Sequence, residues 1–223
     1  MGIGVVFLRE IKNLMIKLVF ILLFSLSFSD ELKTEPTIAD SLPSNMPFVK
    51  SVFWGENGMF RDTFVDPKSR MKELRIRRNM LQLHQRFALF TLGAMIYQAN
   101  IGFKMTEESD GYVNYQDLHM NLGYLTFGTY MTAASLSILS PPGMKYTKRF
   151  SSNKLHQYLA LIHFAGMAVQ PWLGYQTSVA SIECQNGVPG RCDDRQDLLD
   201  MHKTVGTITV STYFLAFLTT LFK

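Results

Sequence analysis

Three observations predict an all-α, integral membrane architecture. Four apolar segments are long enough to cross a bilayer, the four make two copies of one hairpin, and one histidine recurs near the start of each. The core is expected to be a four-helix bundle, preceded by a signal-like apolar leader and a polar tail. In the 223 residues, Phe 17, Met 13 and Tyr 9 suit helices in lipid, where aromatics anchor interfaces and Met fills gaps. The net charge of +4 is mild and the basic residues flank apolar runs, so nucleic acid is excluded as the expected partner. Two cysteines are too few for a disulfide-dense scaffold.

Residues 1–29 read as a signal peptide: Arg9 and Lys12 precede an apolar stretch rich in Leu and Phe that ends in small residues before Asp30. An initiation at Met15 and a retained extra anchor are the alternatives. Residues 30–79 form a polar tail, loosely ordered to residue 66, whose end KSRMKELRIRR reads as a basic amphipathic helix entering the first span. Residues 80–223 form the membrane domain. Its spans cover residues 80–99, 118–139, 155–180 and 199–221, each close to the roughly 20 residues a helical crossing needs. Lys68, Arg70, Lys72, Arg75, Arg77 and Arg78 precede the first span, and Lys145, Lys148, Arg149 and Lys154 precede the third. The two other loops are acidic, so the positive-inside rule starts the first and third spans in the cytoplasm. A cleaved leader would start the first span from outside, and the absolute orientation stays open between these two readings.

The repeat is legible in register. LHQRFALFTLGAM from Leu83 matches LHQYLALIHFAGM from Leu155, and DLHMNLGYLTFGTY from Asp117 matches DMHKTVGTITVSTY from Asp200. The offsets are 72 and 83 residues, and the difference of 11 falls in the later hairpin's loop. A parallel repeat of two hairpins implies a pseudo-two-fold axis along the membrane normal.

All 5 histidines lie in or at the start of the spans. Successive helices run antiparallel, so His84 and His156 share one face of the membrane and His119 and His202 the other. In a closed bundle each pair is diagonal, the geometry that two axial ligands of a flat macrocycle require. Gly123 and Gly206, four residues after His119 and His202, are expected to leave room for a porphyrin, as are Ala88 and Ala160 after His84 and His156. Ionisable groups inside a membrane are costly and tend to mark function. Two imidazoles per face under-fill a tetrahedral zinc site, whereas iron in a porphyrin takes only two axial donors from protein and, so ligated, suits electron transfer. His163, whose repeat counterpart is Thr91, reads as a core hydrogen-bond partner.

This pattern, over about residues 81–221, resembles the cytochrome b561 family. The resemblance rests on one histidine at the start of each of four consecutive helices and on the His-x-x-x-Gly spacing of HMNLG and HKTVG. It implies two haems b, one ligated by His84 and His156 and the other by His119 and His202. It further implies transmembrane electron transfer from a small reductant of ascorbate or quinol type to an acceptor across the bilayer, with ferric or monodehydroascorbate reductase activity as the corresponding enzyme. The chain departs from well-known members in its long polar tail and in lacking a clear sixth span.

Arg86 and Lys154, each two residues from a histidine, are candidates for haem propionates or an anionic donor, with Lys203 opposite. Asp117 and Asp200 read as helix N-caps. Cys184 and Cys192 bracket a loop on the outer side and are expected to form a structural disulfide. The competing functions are a haem-free membrane scaffold joined by its histidines and a thiol-oxidising protein using Cys184 and Cys192. A homodimer is compatible with such a bundle.

Overall fold

The computed structural model describes residues 42–43, 45–60, 70–107, 111–146 and 149–221. The leader, most of the tail up to residue 41 and residues 61–69 lie outside them. The described residues are all-helical: α1 (Phe48–Trp54), α2 (Arg70–Glu107), α3 (Gly111–Ile138), α4 (Ser152–Gln185) and α5 (Arg191–Leu221).

The helices outrun the apolar segments that announce them. An apolar run marks where a helix faces an apolar surroundings, while the backbone ladder continues as long as no Pro, Gly pair or competing cap stops it. α2 passes without a break through residue 80, so the basic pre-helix and the first apolar segment are one helix. α3 begins at Gly111 and α5 at Arg191, which puts Asp117 and Asp200 inside helices and corrects their expected capping role. Asp200 instead accepts from the Gln196 side chain at 3.2 Å. α4 does begin with a cap, where Ser151 Oγ accepts from the Lys154 amide. It ends with Gly187 at φ 75°, with Val188 N–H donating to Glu183 O and Gly187 N–H to Cys184 O, a left-handed stop that glycine adopts without a Cβ clash.

α2 packs chiefly on α3 and α4 on α5, and the two hairpins meet through α2 with α5 and α3 with α4. Contacts between hairpins are sparse beside those within them. The buried core follows the repeat: Met95 and Met167, Ile101 and Leu173, Tyr130 and Tyr213, Ala133 and Ala216, Thr126 and Thr209 are equivalent pairs, and all ten are buried. α4 and α5 approach so closely at Gly166 that a Cβ there would lie 2.0 Å from Thr209 Oγ1. Outside the core the apolar side chains face outward, among them Phe90, Tyr97, Leu125, Leu161, Trp172 and Phe214. By length and composition α5 is the one described helix apolar enough to cross a membrane.

Among the described residues of the tail, 48–54 form a helix. α1 docks on the end of α3, where Lys50 Nζ donates to the carbonyls of Ser137, Ile138 and Ser140 and Trp54 Nε1 donates to Leu139 O at 2.9 Å. The same turn receives Arg70 on Pro142 O and Gly143 O and Arg77 on Pro141 O. Four side chains, Lys50, Trp54, Arg70 and Arg77, thus close the C-terminus of α3, whose last carbonyls have no partners within the helix.

Candidate metal centre

The sequence pairs its histidines by symmetry, and the structure gives each pair its surroundings. On the face of His84 and His156, the ring Nδ1 of His84 lies 2.8 Å from Ala133 O and that of His156 lies 2.9 Å from Ala216 O. A carbonyl only accepts, so both rings carry their proton on Nδ1 and leave Nε2 as a lone-pair donor. Metal-binding imidazoles are commonly oriented in this way, by donating the remote N–H to a backbone oxygen. Ala133 and Ala216 are themselves repeat partners, so one device holds both rings.

The opposite face is built differently. His119 and His202 lie with ring centroids 6.2 Å apart and planes inclined by 68°. Two imidazoles sharing one axial metal place their centroids about 6 Å apart, from two metal–nitrogen bonds of about 2 Å and about 1 Å from each nitrogen to its ring centre. The observed spacing fits that requirement. Nδ1 of both rings is buried without a hydrogen-bond partner. The His119 ring also approaches the Gln98 backbone.

What positions these two rings was not visible in the histidine motifs. His119 packs on Gly102, where a Cβ would lie 3.0 Å from its Cε1, and His202 packs on Gly174, where the distance would be 3.3 Å. Gly102 and Gly174 are separated by the same 72 residues as His84 and His156, and so are Gln98 and Gln170. The signal was present as QANIG from Gln98 and QPWLG from Gln170, a second repeat motif downstream of the first. Gln170 Nε2 donates to His202 O at 2.9 Å. Gly123 and Gly206, expected to leave room for a porphyrin, here make room for these glutamines: Cβ atoms there would lie 3.0 Å from Gln98 Nε2 and 2.7 Å from Gln170 Nε2.

The remaining candidates are placed as follows. Arg86 is exposed and Lys154 half-buried. His163 is buried and lies 2.8 Å from Tyr130 Oη. Cys184 and Cys192 form a disulfide that ties the end of α4 to the start of α5, reinforced by Arg191, which bridges Glu183 and Asp194. Among the described residues no three His, Cys, Asp or Glu side chains converge, so the imidazoles come in twos, as an axial pair requires and a tetrahedral site does not. No family model, no curated protein and no solved structure matches the chain.

Proposed function

We propose that this chain is a multi-pass membrane protein that holds two haems b, each between a pair of histidines, and passes electrons from one membrane face to the other, as the cytochrome b561 family does. The reading rests chiefly on one observation: of four imidazoles at repeat-equivalent positions, His119 and His202 face each other at 6.2 Å, and His84 and His156 are oriented alike through Nδ1 by Ala133 O and Ala216 O. The membrane assignment draws on the distribution of polarity, with Thr91, Thr126, Thr209 and His163 inside and large apolar side chains outside. That arrangement suits a bundle whose surroundings are lipid and whose polar groups bond one another.

When bound, haem iron supplies a one-electron couple saturated by two imidazoles, and so closed to oxygen. The protein's part is placement. Ala133 O and Ala216 O fix the ring orientation of His84 and His156, and Gly102 and Gly174 let His119 and His202 lie against the neighbouring helix. Ala133, level with His84, follows His119 by 14 residues on α3, so the two sites lie about 21 Å apart at a rise of about 1.5 Å per residue. The donor is a small reductant of ascorbate or quinol type, the acceptor lies on the other side, and Arg86 and Lys154, each two residues from a ligand, are the cations nearest in sequence on the His84 face.

A haem-free scaffold is the second reading, because bonds from imidazole Nδ1 to a carbonyl also join helices. It offers no such bond at His202, whose Nδ1 is buried without a hydrogen-bond partner. The absorption spectrum of the purified, reduced protein separates the two. The expected result is a b-type spectrum that falls by about half in His84→Ala and by about half in His119→Ala, each substitution removing an axial donor that nothing else replaces. A colourless protein with native helix content, after expression with ample haem supply, would overturn the reading.

A further inference from the structure

Seven residues after each paired histidine, about 10.5 Å further along its helix, stands a buried polar residue. These are Thr91, Thr126, His163 and Thr209, with exposures of 0, 2, 7 and 3%. Because the helices alternate in direction, the four positions meet at one level midway between the two paired-histidine sites. Three of them are threonines, which cannot change charge near neutral pH. The fourth is an imidazole, which can.

His163 is set among groups that serve both of its protonation states. Tyr130 Oη on α3 lies 2.8 Å from His163 Nδ1, and a phenol can donate to a bare ring nitrogen or accept from a protonated one. The Tyr213 ring on α5 lies edge-on with its centroid 4.8 Å from that of His163, and its hydroxyl is occupied in donating to Ala88 O of α2 at 2.9 Å. The titratable groups on the elements around His163 are Tyr130 from α3, Tyr213 from α5, His84 from α2, and His156 seven residues earlier on its own helix, about 10.5 Å away. His84 and His156 are the pair of one site, so a charge placed on that site is felt at His163.

Building on the paired-histidine reading, we propose that His163 is a proton-holding site coupled to the redox state of the metal held by His84 and His156. When that metal takes one electron from the reductant, His163 takes one proton from the water at that face, and the net charge of the interior is unchanged. Reoxidation by the acceptor releases the proton. A low-dielectric interior makes such compensation worthwhile, because an uncompensated charge there is costly. The threonine that occupies the equivalent place on α2 shows that the fold itself does not require an imidazole here. His163→Thr is consequently the natural test, as it restores the repeat's own residue.

The experiment is a redox titration of the full-length, haem-loaded protein in lipid nanodiscs across pH, with proton uptake on reduction followed by an indicator dye in weak buffer. One of the two midpoint potentials is expected to fall with pH, over part of the range, by up to a tenfold change in the redox equilibrium per pH unit, about 59 mV. In His163→Thr that slope and the matching proton uptake are lost, while the haem content and the other potential stay as in the parent. His163→Gln, which keeps a hydrogen bond to Tyr130 without a titratable ring, should behave as His163→Thr. A coloured protein whose potentials ignore pH, or whose slope survives both substitutions, overturns this proposal and leaves the paired-histidine reading standing. A protein without a b-type spectrum overturns both.

Discussion

The two ends of the bundle place equivalent histidines by different physical means. At the end of His84 and His156, a directional bond to a backbone oxygen fixes each ring, through Ala133 O at 2.8 Å and Ala216 O at 2.9 Å. At the end of His119 and His202, contact does the work, each ring lying where a side chain on Gly102 or Gly174 would stand. The closures differ too. The first end is strapped by α1, through Lys50 and Trp54 on the last turn of α3, and the second by the Cys184–Cys192 disulfide. One pair is thus held by hydrogen bonds whose backbone acceptors no side-chain substitution removes, and the other by room that a single methyl group would crowd.

The comparison breaks most easily at the glycines. Gly102→Ala puts a methyl group 3.0 Å from the His119 ring, against rigid helix on one side and a buried imidazole on the other. Overpacking of this kind costs about 1–3 kcal/mol. On the proposed reading, the expected outcome is weakened retention of a haem at His119 and His202, with the other site's spectrum unchanged. Gly174→Ala, whose methyl group would lie 3.3 Å from the His202 ring, should do the same more mildly. Equal losses at both ends, read from the reduced absorption bands, would mean that contact does not set one site apart from the other.

The tyrosines sharpen the contrast within the core. Tyr130 and Tyr213 are repeat partners, yet Tyr130 bonds an imidazole and Tyr213 a carbonyl. Tyr130→Phe leaves the His163 ring without its phenol, and Tyr213→Phe leaves only one lone pair of Ala88 O, which already accepts within α2. The first should cost about 1 kcal/mol or more in denaturation and the second less, since the penalty follows the group left unsatisfied.

How much of this was legible depends on whether a side chain carries the information. The hairpin repeat and the four paired histidines could be read because identical residues stand at fixed offsets. The QANIG and QPWLG motifs obey the same 72-residue offset, but Gln and Gly in apolar helices read as ordinary packing until the imidazoles are seen against them. Ala133 and Ala216 act through their carbonyls, and a backbone acceptor has no residue signature. Helix ends were hidden because hydropathy reports surroundings, so α2, α3 and α5 run beyond their apolar stretches. α1 escaped notice because seven residues show too little period, and its place is fixed by Lys50 and Trp54 bonding to a turn some 85 residues away.

The strap on the His84 end offers the mildest test. Burial, and then the guanidinium of Arg77, bring the Lys50 amine down from 10.5 to about 7. An undocked α1 would hold its Lys50 proton up to the ordinary value, so between about pH 7 and 10.5 the undocked chain binds a proton that the docked chain does not. Docking should therefore tighten as pH rises through that window, and limited proteolysis around residues 45–60 should slow accordingly. Lys50→Met should flatten the dependence while Trp54 keeps α1 near its site. The carbonyls of Ser137, Ile138 and Ser140 pull the other way, because they sit at the negative end of the α3 dipole and favour an ammonium. Proteolysis that accelerates with pH would show that this carbonyl cage outweighs burial, and that the strap, like the His84 and His156 rings beneath it, is governed by backbone oxygens.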